Sequence, residues 1–275
     1  MKKIQILLLS VCPAVFGQST IDLSKPVSQS LKPDVVYWSF DQGLPGQSLP
    51  EVVEDESGNG LDGRLLAGAV QPEPTYVEGK FGAGIRFPGA TPAVVGEDGF
   101  SRQVQLNPRV MWRLKKVTGS PDGASLDMAG KSFTGGAWVK IEKIKEGEPQ
   151  SISLMHQGAA EGQWSFNLMK DERDSWKLSA VFTPSSEKTE VLNNRAWHHV
   201  AFAFETKNGE SQITFWLDGE PLGDPVPTTR VIAQAPTEKH RAFTVGERNM
   251  GYFSTGFEGA VDDVFVTSGV QGFKP

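Results

Sequence analysis

Short apolar segments separated by turn-forming residues recur along most of the chain. Segment 176–182 (WKLSAVF) alternates apolar and polar residues, as in a strand with one face on a core and one toward water. Segment 197–204 (WHHVAFAF) is apolar at both alternating positions, which indicates a central strand buried on both faces. No segment shows ten or more residues of helical periodicity with caps. The pattern predicts an all-β fold.

The first residues have the pattern of a secretory signal peptide. Lys2 and Lys3 precede an apolar run at 4–11, and residues 15–17 (VFG) resemble a cleavage site. We therefore predict that residues 1–17 are removed and that the mature protein is secreted, periplasmic or at the cell surface.

A lipoprotein anchored through Cys12 is the alternative interpretation. Val11 and Pro13, which flank this cysteine, fit a lipobox poorly. Cleavage after Gly17 would leave the mature chain without cysteine, so its fold would rest on a hydrophobic core rather than on disulfides.

Two stretches depart from the strand pattern. Residues 18–33 are polar, contain two prolines and lack periodicity, which predicts a poorly ordered linker before one domain over 34–270. Residues 97–131 carry several basic residues around Trp112 and are predicted as a long insertion. That insertion is either a ligand loop with Trp112 as a stacking platform or a solvated excursion whose tryptophan packs on the domain.

The net charge of the chain limits the kinds of partner that it can attract. A net charge of −6 and a pI near 5.4 argue against nucleic acid and anionic membrane surfaces, because an acidic protein is not attracted to either. Neutral sugars or bound cations fit better. After the leader, no stretch reaches the roughly 18 uncharged apolar residues of a membrane span, so we expect no transmembrane segment in the mature chain.

Several short motifs, in order, resemble the LamG-like jelly-roll family of the concanavalin A-like lectin/glucanase superfamily. They are YWSFDQG (37–43), DESGNGLDGRL (55–65), GKFGAGIRFPG (79–89), FTGGAWVK (133–140), WHHVAFAF (197–204), ITFWLDG (213–219) and VGERNMGYFSTGFEGAVDDVFV (245–266). The resemblance implies a two-sheet antiparallel β-sandwich in which YWSFD and AVDDVFV are paired. It also implies a lectin-like function outside the cytoplasm.

Recognisable catalytic motifs are absent from the sequence. Laminarinase-type enzymes of this fold carry a Glu-x-Asp-x-Glu strand, because retaining hydrolysis needs two carboxylates about 5 Å apart. That spacing does not occur here, and neither Gly-x-Ser-x-Gly nor His-Glu-x-x-His is present. We predict a non-catalytic module that binds carbohydrate. Two alternatives stay open: a structural or adhesive surface protein that binds another protein, and a glycoside hydrolase or lyase with an unrecognised acid/base pair.

Aromatic residues are the predicted ligand contacts. Trp112, Trp216, Tyr252 and Phe253 could present their ring faces to a sugar ring or to a partner protein. The alternative is that the tryptophans belong to the core of the sandwich.

Calcium is the predicted cofactor. Many sandwiches of this superfamily hold calcium near strand ends, and the resemblance implies Asp41, Asn59, Asp62 and Asp262 as its ligands. The alternative is that these side chains cap turns and backbone groups.

Overall fold

The computed structural model describes residues 19–48, 52–66, 74–88, 109–112, 128–144, 146–157, 164–181, 185–232, 243–246 and 258–275. The predicted signal peptide, residues 1–17, lies outside them. In chain order the strands are β1 (Thr20–Asp22), β2 (Val36–Trp38), β3 (Val52–Val53), β4 (Gly63–Leu66), β5 (Thr75–Glu78), β6 (Ala83–Pro88), β7 (Arg109–Trp112), β8 (Phe133–Ile141), β9 (Gln150–Gln157), β10 (Trp164–Lys170), β11 (Trp176–Ala180), β12 (His198–Lys207), β13 (Glu210–Leu217), β14 (Glu220–Pro221), β15 (Val226–Thr228), β16 (Phe243–Val245), β17 (Glu258–Ser268) and β18 (Gly272–Lys274).

The helical segments of this described part are two short 3-10 turns, Val27–Gln29 and Val191–Asn194. Within the same residues, no helix has the length and apolar character needed to cross a membrane. The predicted all-β fold is confirmed.

Two antiparallel sheets form the sandwich. The seven-stranded sheet has the order β11-β10-β9-β16-β7-β4-β3. The nine-stranded sheet runs β14-β13-β12-β8-β17-β6-β5, with β15 paired to β13 and β2 paired to β17. Strand β2 pairs with β17 in the register Val36↔Val266 and Trp38↔Val264. The predicted pairing of the opening and closing strands is therefore confirmed.

Aromatic side chains from both sheets fill the space between them. Phe166 of the seven-stranded sheet packs against Phe202 of the nine-stranded sheet with ring centroids 4.9 Å apart, and Trp164 lies 5.6 Å from the same ring. All three side chains are fully buried. The alternation predicted from sequence thus points one side of each strand into a shared core, which leaves the intervening residues on the outer faces.

The outer face of the nine-stranded sheet is also apolar. Trp138, Ala201, Trp216 and Phe265 form a second buried cluster, separate from the inter-sheet core, and Phe273 of β18 packs on it. An apolar outer face is unfavourable in water, so a further layer must cover it.

That layer is formed by residues 19–33, here called the N-terminal strap. Strand β1 pairs in parallel with β18, and Ile21, Leu23 and Val27 are buried in the second cluster. The prediction of a poorly ordered linker over 18–33 is therefore wrong for residues 19–33. The strap has only three such apolar side chains, but they are buried because the face of the sheet on which they pack is apolar as well.

Hydrogen bonds fix the strap in place. The backbone N–H of Val27 donates to Asp263 Oδ2 at 3.0 Å, and the Tyr37 hydroxyl donates to Asp263 Oδ1. The backbone N–H of Leu23 donates to the carbonyl of Lys274 at 3.0 Å. The strap is therefore tied to both the closing strand β17 and the end of the chain.

Part of the predicted insertion at 97–131 belongs to the sandwich. Residues Arg109–Trp112 form β7, which pairs with β16 and β4 inside the seven-stranded sheet. The insertion interpretation is therefore wrong for this segment, because RVMW is too short an apolar run to stand out from its basic surroundings. Residues 97–108 and 113–127 lie outside the described residues.

His199 of β12 lies beneath the strap. Its ring is fully buried, 5.4 Å from the Trp138 ring and 4.9 Å from the Phe273 ring. Neither ring nitrogen has a hydrogen-bond partner in the part of the chain described. Burial lowers the pKa of His199 to about 3, so the ring is neutral at physiological pH.

Shortening Ile21 to alanine tests the strap. We expect Ile21→Ala to lower the free energy of unfolding by about 2–5 kcal/mol, because it leaves a cavity under a buried side chain. Gln29→Ala, an exposed position of the same segment, is the matched control and should change it by less than about 0.5 kcal/mol. Equal effects in urea denaturation would show that the strap does not bury Ile21.

Replacing His199 tests its burial through pH. A folded pKa below the unfolded value means that stability is fully present above about pH 6.5 and is lost as the pH falls toward 3. His199→Leu removes this titration, so its melting temperature should fall less between pH 7 and 4 than that of the wild type. Parallel pH profiles of the two proteins would contradict the burial of a neutral ring.

Candidate functional site

The aromatic residues predicted to bind ligand lie in different parts of the chain. Trp216 is only 7% exposed and packs against Phe273 under the strap, with ring centroids 5.2 Å apart. Its predicted role as an exposed platform is wrong, because the strap layer covers it. Trp112 lies in β7, where its backbone pairs with Phe243 and Gly63.

Tyr252 and Phe253 lie outside the described residues. Their predicted roles in ligand binding stay predictions.

Two of the predicted calcium ligands lie in one turn that is held together by Asp55. Asp62 Oδ1 accepts the backbone N–H of Asp55 at 3.0 Å. The Asn59 side-chain amide donates to the carbonyl oxygens of Asp34 and Val35 at 2.7 and 2.9 Å. Asp62 therefore caps the turn, and Asn59 ties the turn to the backbone before β2.

The other two predicted ligands lie at the β5–β6 hairpin. Asp41 Oδ1 accepts the N–H of Ala83 at 2.8 Å, and Asp262 Oδ2 accepts the N–H of Phe81 at 2.9 Å. Gly82 permits this approach, since it has φ +57° and a β-carbon there would lie 2.0 Å from Asp41 Oδ1. Asp262 therefore ties the hairpin to β17, and Asp41 ties it to the segment that follows β2.

The four residues do not fit one calcium site. They are divided between the turn and the hairpin, and each makes hydrogen bonds to backbone groups there. Within the described ranges, no three histidine or acidic side chains form a group that could hold a metal ion. Binding of calcium by the protein stays a prediction.

Asp262 and Asp263 form a buried acidic pair in β17. Both side chains are almost fully buried, at a register shift between Asp262 and Phe265. Burial, together with the charges of Asp263 and Asp41, raises the pKa of Asp262 to about 8, and burial raises the pKa of Asp263 to about 6. Such shifts also occur at catalytic sites. Here, however, both carboxyl groups are closed off from solvent and accept backbone or tyrosine hydrogen bonds, so the pair acts as a structural junction.

The outer face of the seven-stranded sheet has a different character. On strands β9, β10, β11 and β16 the apolar residues point into the core, and the alternating residues point outward. The outward residues, here called the polar face, are Ser151, Ser153, His156, Ser165, Asn167, Met169, Lys177, Ser179 and Thr244. None of these residues carries a carboxylate.

Strand register aligns the polar face into rows. Asn167 lies directly opposite Ser153 on one side and Ser179 on the other. In the next row, His156 lies opposite Ser165 and Thr244. Neighbours in a row lie about 5 Å apart, and the residues of both rows are buried.

Ser153 and Asn167 of the polar face each have a buried side-chain atom without a hydrogen bond. Ser153 Oγ and Asn167 Oδ1 have no partner in the described part of the chain, and the residues are 3% and 4% exposed. The Asn167 amide N–H₂ donates to Ser165 Oγ at 2.9 Å, so it is the carbonyl oxygen of this side chain that lacks a partner. A buried polar atom without a partner costs about 1–3 kcal/mol, so a hydrogen bond from a ligand or a water to either atom would be stabilising.

Sequence reasoning missed the polar face. The segments SISLMHQ, WSFNLMK and WKLSA alternate apolar residues mostly with serine, asparagine and histidine, and Lys177 is the one long charged residue on the polar face that they form. That choice of polar residues was the available indication. Register between strands, which creates the rows, cannot be obtained from the sequence alone.

A carboxamide at position 262 tests the buried acidic pair. A folded pKa of about 8 means that the ionisation of Asp262 costs stability progressively as the pH rises from about 4 to 8. Asp262→Asn cannot ionise, so its melting temperature should fall by several degrees less than that of the wild type between pH 5 and 9. Asp224→Asn, at an exposed position, should follow the wild-type profile. If Asp262→Asn also follows it, the carboxyl group is already ionised at pH 5.

The sequence of the chain matches a family model, and its fold is similar to that of several solved structures. The model of the Laminin_G_3 family, described as the concanavalin A-like lectin/glucanases superfamily, matches residues 116–270. No curated protein shows significant similarity to the chain.

Solved structures with a similar chain trace share little sequence with this protein. The Trypanosoma rangeli sialidase in complex with 2,3-difluoro-KDN is 15% identical over 84% of this chain and 30% of the sialidase, with a TM-score of 0.48. The Ruminococcus gnavus IT-sialidase CBM40 is 13% identical over 67% of this chain and 89% of its own, with a TM-score of 0.41. The receptor binding domain of botulinum neurotoxin mosaic serotype C/D is 9% identical over 88% and 48%, with a TM-score of 0.49.

The chain therefore spans about a third of the length of the sialidase that it matches. The family match covers more than half of the 275 residues and includes β8 to β17, the strands that build most of both sheets. It confirms the resemblance that the motifs indicated: the protein belongs to the concanavalin A-like lectin/glucanases superfamily.

Proposed function

We propose that the protein is a non-catalytic glycan-binding module that acts outside the cytoplasm, with the polar face as its binding surface. The observation that carries the proposal is the pair of buried, unpartnered atoms Ser153 Oγ and Asn167 Oδ1. Sugar hydroxyls both donate and accept hydrogen bonds, so a saccharide can satisfy an amide carbonyl and a serine hydroxyl together.

The chemistry of the polar face supports binding rather than hydrolysis. Glycoside hydrolysis by the usual route needs two carboxyl groups that flank the scissile bond. The described residues of this face carry hydroxyl, amide, imidazole, thioether and ammonium groups and no carboxylate. The buried acidic pair Asp262 and Asp263 belongs to the other sheet and faces the strap and the hairpin.

The predicted secretory leader supports the location. Glycans of cell walls and surfaces are accessible to a protein that is exported, and residues 1–17 have the pattern that directs export. We propose the periplasm, the cell surface or the medium as its place of action.

Binding to a glycan array, followed by calorimetry on the sugars that bind, tests the function. Asn167→Ala removes the buried carbonyl acceptor, so we expect at least a tenfold loss of affinity, about 1.4 kcal/mol. Ser211→Ala, on β13 of the nine-stranded sheet, is the matched control and should bind as the wild type does.

The melting temperature of each variant shows whether it is folded. A folded Asn167→Ala protein with unchanged affinity would exclude the polar face as the binding surface. Failure of the wild type to bind any glycan of the array would contradict the proposed function and would favour the adhesive alternative.

A further inference from the structure

The sequence contains two Asn-Gly pairs, and the fold places them in different surroundings. Asn59-Gly60 lies in the turn that Asp55 holds together, and Asn208-Gly209 joins β12 to β13. Asparagine followed by glycine is the sequence most prone to deamidation, because glycine has no side chain to hinder attack by its backbone nitrogen. The reacting groups of the two pairs are identical, so a difference in their reactivity must come from the folded structure.

Asn208 lies in an exposed two-residue hairpin turn. Lys207 and Glu210 are paired across the hairpin, which leaves Asn208 and Gly209 as the turn itself. Their φ angles of +54° and +84° are of the kind that a type I′ turn requires. Both residues are exposed, and no atom lies within 4 Å of the position of a β-carbon on Gly209. Among the described residues, none forms a hydrogen bond with the Asn208 side chain.

The side chain of Asn59 is held on several sides. Its amide nitrogen donates to the carbonyl oxygens of Asp34 and Val35 at 2.7 and 2.9 Å, and to Ser57 Oγ at 3.2 Å. The backbone N–H of Asn59 also donates to Ser57 Oγ, at 3.3 Å. The amide group that deamidation would expel is therefore fixed against the segment before β2.

Deamidation of an Asn-Gly pair consumes only water. The glycine backbone nitrogen loses its proton to a base in the solvent and attacks Cγ of the asparagine. The bond from Cγ to the side-chain nitrogen breaks, ammonia leaves, and a succinimide ring remains. Water then opens the ring at either carbonyl, which yields aspartate or isoaspartate and adds one negative charge. The attack requires the backbone of the turn to rotate, so the turn must first open.

We propose that Asn208 is a site of spontaneous deamidation in the folded protein and that the fold protects Asn59 from the same reaction. The inference is independent of the proposed glycan-binding function. An exposed hairpin end opens at little cost in free energy, because few contacts are lost. Opening at Asn59 must also break the hydrogen bonds to Asp34 and Val35. Two such bonds lower the open fraction, and with it the rate of reaction, by about tenfold or more.

The product changes the hairpin on which it forms. Glu205 and Glu210 line the same open groove as Asn208, so a carboxylate at position 208 adds a third negative charge there. Isoaspartate also adds a carbon atom to the main chain, and a turn lengthened in this way no longer fits the pairing of Lys207 with Glu210. We therefore expect deamidation to loosen the end of the β12–β13 hairpin and to leave the seven-stranded sheet unchanged.

Peptide mapping by mass spectrometry tests the inference on protein incubated at mildly alkaline pH. In the folded protein we expect the conversion of amide to acid at Asn208 to be at least about tenfold faster than at Asn59. In urea, where both turns are unfolded, the two rates should become similar. Asn208→Gly retains a residue that adopts positive φ and lacks the reactive amide, so it is the matched control. This variant should keep the wild-type melting temperature and show no conversion in the hairpin peptide.

Four results would overturn the inference. Equal rates at Asn59 and Asn208 in the folded protein would show that the fold gives no protection. An unmodified Asn208 in folded protein, with rapid reaction in urea, would show that the hairpin turn stays closed. The same ratio of rates with and without urea would assign the difference to the neighbouring sequence rather than to the fold. Continued conversion in the hairpin peptide of Asn208→Gly would place the reaction at another residue.

Discussion

Burial of the nine-stranded sheet on both faces is the constraint on which the rest of the structure depends. One face packs on the seven-stranded sheet through rings such as Phe202, and the other carries Trp138, Trp216 and Phe265. The chain contains a single cysteine, so no disulfide within the chain can assist this packing. The N-terminal strap supplies the missing layer, and the molecule is therefore built in three layers rather than the two of a plain sandwich.

This arrangement divides the polar residues of the chain into two kinds. On the nine-stranded sheet, carboxylates serve as junctions: Asp263 holds the strap and Tyr37, and Asp262 holds the β5–β6 hairpin. On the seven-stranded sheet, short polar side chains line an outer face and leave Ser153 Oγ and Asn167 Oδ1 without partners. The carboxylates have their hydrogen-bond partners within the chain. The two unpartnered atoms are free to form a hydrogen bond with a ligand.

The period-two pattern predicted an all-β fold, because alternation of apolar residues directly reports strand faces. The two-sheet packing and the pairing of β2 with β17 were implied by the family resemblance. Neither predicted the strap. Ile21, Leu23 and Val27 are separated by polar residues, and their burial depends on an apolar face formed by strands far along the chain. Strand β7 was missed for a similar reason, since its four residues are stabilised by β16 and β4 rather than by local preference.

The candidate site was less predictable than the fold. An acidic residue in a Gly-rich turn suits a calcium ligand and a backbone cap equally well, and Asp41 and Asp62 prove to be caps. A tryptophan beside polar residues suits a stacking platform and a core position equally well, and Trp216 is buried. The rows of the polar face depend on the register of four strands, which only the folded chain defines.

The parallel pairing of β1 with β18 links residues 20–22 to residues 272–274, so the first strand of the described chain cannot find its partner until almost the whole sequence is available. Contacts between such distant residues form late in folding, because the entropic cost of closing the long loop between them comes before the contact stabilises the chain. If the leader directs export as predicted, the strap leaves the cytoplasm long before β18 does. The outer layer would then assemble only after β18 has followed the strap out of the cytoplasm.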